Sequence, residues 1–355
     1  VTESAPPLLP AAAIRAIRRA LFRWYDPRRR ALPWRRSTDP YCVWVSEVML
    51  QQTRIAVVVP AWERFLHRFP TMEALAAAPE EAVLAEWSGL GYYTRARSLH
   101  RAARTLVARG ETRFPSDPER ARALPGVGPY TLAAVLSIAY GQPLAAVDGN
   151  VVRVLSRLAR LPRPDARQQP CASVADALLD PKRPGDWNQA LMELGQTVCV
   201  PRRPACGTCP LRRHCQAFLH GEVALFPQPA PRRSVERVDL ALVVVHDGSG
   251  GLLLEKGVFP FLTHLWLPLL PDAGLAAAPV VEHGFIRHAI LHRLLTVRVQ
   301  SMRLAPARMK RMTAIAAGER RMFAPGEIAA IGRSSLLTKV LRAAGLASGA
   351  QPALR

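Results

Sequence analysis

Leu124-Pro125-Gly126-Val127-Gly128-Pro129-Tyr130-Thr131 is the stretch on which the fold turns. Helical patterns flank it on both sides. Ser116-Asp117-Pro118-Glu119 opens the first, with Pro118 suited to the first helical position. Leu132 to Tyr140 is apolar and stops at Gly141. Two helices joined by a tight Gly-x-Gly turn predict a helix-hairpin-helix over about residues 117–141. Its glycines let the main chain approach a phosphate closely, and the N–H groups and dipole at the start of the second helix point toward it. Such a grip positions a protein on a nucleic-acid backbone without reading sequence. Gly-x-Gly alone is a weak signal. It gains weight from the flanking helices and from Asp148-Gly149-Asn150 further along.

Helical periodicity extends over residues 11–220. It predicts helices at Ala11–Tyr25, 43–59 and 60–69, one capped by Thr71, then Pro79–Trp87 and 94–109. Nothing in this stretch alternates with period two, so residues 1–220 read as all-α. Residues 221–237, with Pro227, Pro229 and Pro231, read as a proline-rich linker. Beyond it, Asp239–His246 and Leu252–Glu255 are strand patterns on either side of the turn Asp247–Gly251. Thr296–Gln300 alternates as a half-buried strand, and 334–345 is helical in pattern. The expectation is a multidomain chain: a helical domain, a small α+β domain over 238–345, and a tail, 346–355.

Charge narrows the class. The 355 residues hold 48 Lys+Arg against 27 Asp+Glu, a formal net charge of +21. That excess favours a polyanionic partner, most simply nucleic acid. A coding bias toward arginine explains the shortage of lysine but not the excess over acids. No apolar run approaches the ~20 residues that span a bilayer. Val1 to Pro10 lacks the basic start of a secretion signal. A cytoplasmic monomer that does not engage membranes is the expectation, and its six cysteines should be reduced there.

Four of them, Cys199, Cys206, Cys209 and Cys215, have the spacing C-x6-C-x2-C-x5-C. Structural zinc usually brings two close pairs, and only one is present; a cubane iron–sulfur cluster also takes four thiolates and tolerates uneven spacing. Arg202, Arg203, Arg212 and Arg213 stud the same loop. They are solvated charges or phosphate contacts. Cys42 and Cys171 lack such spacing and read as packing residues.

Two carboxylates complete the pattern. Glu47, in Ser46-Glu47-Val48-Met49-Leu50-Gln51-Gln52-Thr53, has Val45, Val48 and Met49 as apolar neighbours. A charge there is costly unless neutral or paired. A salt-bridged glutamate is the plainer reading of the residue alone. Asp148 stands at the start of a predicted helix, Val151 to Arg160, where an anion is favoured. Alone it is an ordinary helix cap.

Taken together, these residues resemble the helix-hairpin-helix DNA glycosylases that carry a terminal iron–sulfur cluster, and within them the adenine-specific, MutY-type family. Leu32-Pro33-Trp34-Arg35, Asp39-Pro40-Tyr41, Gly89-Leu90-Gly91-Tyr92-Tyr93 and Asn188 to Gly195 are further matching strings. The resemblance implies a monofunctional base-excision enzyme acting on duplex DNA that removes adenine mispaired with 8-oxoguanine or guanine. It implies a 4Fe-4S cluster on the loop 199–215. Glu47 would donate a proton to adenine at N7, Asp148 would stay ionised beside an oxocarbenium-like sugar, Asn150 would orient it or a water molecule, and Tyr130 would touch Asp148. Trp34, Arg35, Leu50 and Glu193 match an adenine pocket. Gln52 and Tyr92 match residues that fill or wedge the stack, while Gly126 and Gly128 hold the backbone. Related strand-cutting enzymes carry a lysine where Tyr130 stands, and residues 1–181 contain no lysine. A relative acting on G·T mismatches or oxidised pyrimidines, and a non-catalytic cluster-bearing DNA-binding protein, are the competing readings.

Residues 237–345 resemble, more weakly, the Nudix-like domain that reads 8-oxoguanine. Leu265-Trp266-Leu267-Pro268 carries the likeness. Between Trp266 and His288 the only acids are Asp272 and Glu282, so no acidic metal-binding helix exists there. The expected reading loop is Ile290-Leu291-His292, with Ile290 as wedge and His292 as hydrogen-bonding group.

Overall fold

The structure, a computed structural model, describes residues 10–161, 169–228, 234–259, 261–271, 273, 275, 279–314 and 318–346. The expectations for the first nine residues, for 229–233 of the linker, for Asp272 and for the tail from 347 onward lie outside these. The chain divides into two compact units, Val1–Ala76 with Ser98–Pro231, and Ala77–Arg97 with Arg232–Arg355. Among the described residues no helix is long and apolar enough to cross a membrane.

The first unit is helical. Helix α1 spans Ala11–Tyr25, α2 Pro40–Leu50, α3 Ile55–Arg68 and α4 Met72–Ala77. The expected break at residue 60 is corrected. Helix α2 ends at Leu50, Gln52 takes a left-handed backbone with φ +57°, and Pro60 sits inside α3. Proline marks a break only by tendency, because packing can hold a helix through it. Helix α5 (Glu80–Glu86) and the first turn of α6 (Thr94–Ala108) belong to the second unit; the rest of α6 lies in the first, followed by α7 (Pro118–Arg122) and α8 (Pro129–Tyr140), the predicted hairpin pair. Asp117 caps α7 by accepting from Arg120 N at 2.8 Å, and Gly141 ends α8 in the left-handed region.

Helices α9 (Gly149–Ala159), α10 (Gln169–Leu178) and α11 (Pro184–Thr197) pack with α1 around Trp187, Leu191, Leu155, Leu21 and Cys171. Cys171 is thus core, as its lack of spacing implied, and Cys42 is half-buried. Gly185 sets the closeness of α11 to α8, since a Cβ there would stand 2.7 Å from the Ser137 carbonyl oxygen. The short helix α12 (Gln216–Leu219) closes the cysteine loop.

In the second unit, strands β1 (Glu236–His246), β2 (Leu252–Lys256), β3 (Val281–Ile290), β4 (Arg293–Arg303) and β5 (Glu319–Phe323) form one sheet in the order β3-β4-β1-β2-β5. Among the described residues, only β1 and β4 run parallel. Helix α14 (Ser335–Ala343) covers one face through Leu336, Leu337 and Val340. Helix α13 (Pro306–Thr313) covers part of the other through Met309 and Met312. Strands β3 and β5 are the sheet edges, and neither shows the regular alternation that betrays a strand in sequence.

Candidate active site

Helix α2 is buried on nearly every side from Pro40 to Met49, so the carboxyl of Glu47 has nowhere to go but the interior. It opens onto a broad cavity of about 1480 Å³ in the first unit, which Tyr130, Asp148 and Asn150 also line. Tyr130 Oη donates to Glu47 Oε2 at 2.5 Å and lies 3.3 Å from Met192 Sδ. The hydroxyl thus bonds Glu47, and the Asp148 charge acts on it as well. Burial pushes the Glu47 carboxyl up from 4.5 to about 7. The Tyr130 hydrogen bond lowers it, the Asp148 charge raises it further, and Arg35 lowers it.

Asp148 caps α9. Oδ1 accepts from Asn150 N at 2.9 Å and from Val151 N at 2.7 Å, while Asn150 Nδ2 donates to Oδ2 at 2.6 Å. Burial raises this carboxyl above its ordinary value too, and the Val151 and Asn150 donors and the Arg153 charge offset that only in part. Asn150 accepts in turn from Arg153 Nη2 at 2.9 Å. Gly195 on α11 makes this arrangement possible: a Cβ there would lie 2.7 Å from Asn150 Cβ. The sequence reading missed Arg153, which carries no local signal, and held Gly195 only as the end of the matching string from Asn188.

Trp34, Arg35, Leu50 and Glu193 line the same cavity. Glu193 is buried and ion-paired: Arg35 Nη1 lies 2.6 Å from Oε2, and Arg30 N donates to Oε1 at 3.1 Å. Arg35 Nε donates to Gln189 at 2.9 Å. Trp34 is also packed edge-on against Trp62, so the core and pocket readings both hold for it. Gln52 is exposed at the rim.

The hairpin glycines reach the cavity edge and differ in kind. Gly126 has φ +79°, and a Cβ would stand 2.6 Å from Ser98 Cβ. Gly128 has an ordinary φ of −88° and open space where a Cβ would go. Gly126→Ala is expected to destabilise the protein by about 1–3 kcal/mol in urea unfolding. Gly128→Ala should cost less than about 1 kcal/mol yet weaken duplex binding about tenfold by blocking close approach of a phosphate.

Cys199, Cys206, Cys209 and Cys215 are all free thiols lining one small cavity. Arg157 Nη1 donates to Cys199 Sγ at 3.3 Å, and Cys215 Sγ donates to the Arg157 carbonyl at 3.3 Å. Burial pushes Cys209 up to about 11 and also raises Cys206 and Cys215, with neighbouring sulfurs adding to each. Among the described residues no three His, Cys, Asp or Glu side chains converge to hold a single metal ion. Arg202, Arg203, Arg212 and Arg213 are exposed around this loop.

In the second unit, Ile290 ends β3, and Leu291-His292 form the tight turn into β4. Ile290 is half-buried and packs against the core. The side chain presented outward is Leu291, with φ +56° and 69% exposure. His292 Nε2 faces Glu236 at 3.4 Å. Ile290 and Leu291 line a cavity of about 460 Å³ that also contains Tyr92 and His288.

The family of HhH-GPD superfamily base excision DNA repair proteins matches residues 45–172. An adenine DNA glycosylase of Homo sapiens is 45% identical over 218 residues, covering 58% of this chain and 40% of that protein. One from Mycolicibacterium smegmatis is 40% identical over 223 residues, covering 61% and 73%. The chain thus spans less than half the length of the mammalian relatives it matches. Among solved structures, a thermostable thymine-DNA glycosylase superposes with a TM-score of 0.55 at 26% identity, over 59% of this chain and 98% of that one. An endonuclease III trapped on DNA gives 0.53 at 23% identity, over 60% and 99%, a likeness of fold.

Proposed function

This chain belongs to the adenine DNA glycosylase family, and from that premise we propose that it hydrolyses the N-glycosidic bond of adenine mispaired with 8-oxoguanine or guanine in duplex DNA. The observation that carries the reading is the buried Glu47 carboxyl, bonded to Tyr130 and opposed by Asp148 in one open cavity. Adenine is a poor leaving group, and a proton on N7 makes it a better one. Glu47 gives up that proton, the C1′–N9 bond breaks with its electron pair going to the base, and the sugar becomes oxocarbenium-like. Asp148, held by the donors at the start of α9, balances the positive sugar. Water adds to C1′, and its proton returns to the Glu47 carboxylate. Trp34, Arg35, Leu50 and Glu193 enclose the extruded base, while Gln52 and Tyr92 occupy the opened stack. Tyr130 has no amine with which to trap the sugar, so the strand stays uncut.

The second unit, read as Nudix-like, would inspect the opposite base through the turn at Leu291, with His292 beside it. The four thiols line one cavity and fit a 4Fe-4S cluster: four cysteine thiolates are its usual ligands, and a cationic centre would offset the mutual repulsion of the sulfurs. The cluster, when bound, would hold the loop rigid so that Arg202, Arg203, Arg212 and Arg213 meet DNA phosphates. Protein purified without chelators should show a broad absorbance band at about 400 nm and bind iron rather than zinc; zinc alone, by metal analysis, would exclude the cubane.

Duplexes carrying adenine opposite 8-oxoguanine, adenine opposite guanine, and thymine opposite guanine decide the substrate. The expected result is adenine release from the first two, with strand breaks only after alkali. Release of thymine alone would overturn the assignment.

A further inference from the structure

Tyr92 stands on a loop built from left-handed backbone: φ is +92° at Gly89, +68° at Gly91 and +48° at Tyr92 itself. Glycine adopts that region freely. An aromatic residue there is strained and keeps its place only where neighbours over-determine it. The neighbours belong to the same compact unit. Beneath the loop, the Arg95 guanidinium donates to the Leu90 and Gly91 carbonyls, each at 3.1 Å, and lies 5.4 Å from the Tyr92 ring. Trp87 Nε1 donates to the Gly91 carbonyl at 3.2 Å.

A second support comes from the far end of the chain. Tyr93 Oη donates to the Arg333 carbonyl at 2.5 Å, and Arg333 N donates to Ser88 Oγ at 3.1 Å. Trp266 Nε1 donates to Glu81 Oε1 at 3.2 Å. Gly332 packs so tightly that a Cβ there would stand 2.7 Å from Leu84 Cβ. Amid these contacts the Tyr92 side chain remains 42% exposed.

We infer that the main chain of Arg333, gripping Ser88 and Tyr93 on either side of the loop, positions the Tyr92 ring to open the base stack. The inference rests on reading Tyr92 as a wedge. It makes the Gly332–Arg333 segment, which lies just before α14, part of that device. Arg333 and Tyr92 also border the cavity at the Leu291 turn, so the wedge and the proposed base-reading turn share one frame.

Ser88→Ala combined with Tyr93→Phe in the full chain removes two hydroxyls and leaves the packing volume nearly intact. The readout is 2-aminopurine placed beside the 8-oxoguanine of an adenine·8-oxoguanine duplex, whose fluorescence rises when the stack opens. The double variant should lose about tenfold of that rise. Its melting temperature and its affinity for undamaged duplex should stay near those of the parent. Tyr92→Ala serves as the reference. If Tyr92→Ala abolishes the rise and the double variant keeps it, positioning by Arg333 is overturned and the wedge reading stands. If Tyr92→Ala keeps the rise, the wedge reading falls and this inference with it. Should the double variant melt early, each single variant replaces it, with a loss of about threefold expected from one hydrogen bond.

Discussion

Glu47→Gln is expected to lower single-turnover adenine release by about a thousandfold, the range for removal of a positioned general acid. Glutamine fills the same space and can still accept from Tyr130, so the loss isolates the proton. The pH profile carries the same signature. With its carboxyl at about 7, Glu47 holds a proton below that value and loses it above. Wild-type activity should fall tenfold per unit above about pH 7, on the alkaline side of the profile. Stability moves the opposite way in the variant. The folded state binds this proton more tightly than the unfolded chain, whose carboxyl titrates near 4.5. Between those values the native protein loses stability as pH rises, by about 3 kcal/mol in all. Glu47→Gln should therefore melt higher than wild type at pH 8 and no higher at pH 4. Unchanged base release by the variant would end the proton-donor assignment.

Asp148→Asn is expected to cost about a thousandfold in the same assay, with little change in melting temperature. Asparagine caps helices about as well as aspartate, so α9 keeps its first turn and only the charge is lost. Asp148→Ala should lose activity to a similar degree and about 1 kcal/mol of stability in addition, because the Asn150 and Val151 N–H groups lose their acceptor. The comparison separates the two roles of one side chain. If Asn restores activity, Asp148 is only a helix cap, and the developing charge on the sugar must be balanced by another group.

Several elements were legible because they are local. The hairpin α7–α8 follows from Asp117-Pro118, the two glycines and the apolar run after Pro129, all within one window. The cap at Asp148 is a matter of residue type at a helix start. Burial of Glu47 follows from the apolar residues around it at helical spacing. Less legible were the edge strands β3 and β5 and the basic helix α13, whose amphipathic signal is thin because only one face is covered or the charges crowd the other. The break between α2 and α3 was misplaced because proline is a local sign, while the helix around Pro60 is held by Val58, Ala61, Trp62 and Phe65 in the core.

By itself the sequence determined which residue types were available and where each could sit: a carboxyl on a buried helix, a carboxyl at a helix start, four thiols on one loop. Only the tertiary structure decided who meets whom. It put the Tyr130 hydroxyl on Glu47 across 83 positions of chain, left the Leu291 side chain exposed at the turn, and brought Arg333 to Tyr93 across 240. Propensities and periodicity act within a few turns of backbone. Contacts of this kind arise when whole helices and sheets bury their faces, and a single glycine against Asn150 or Leu84 then sets the distance.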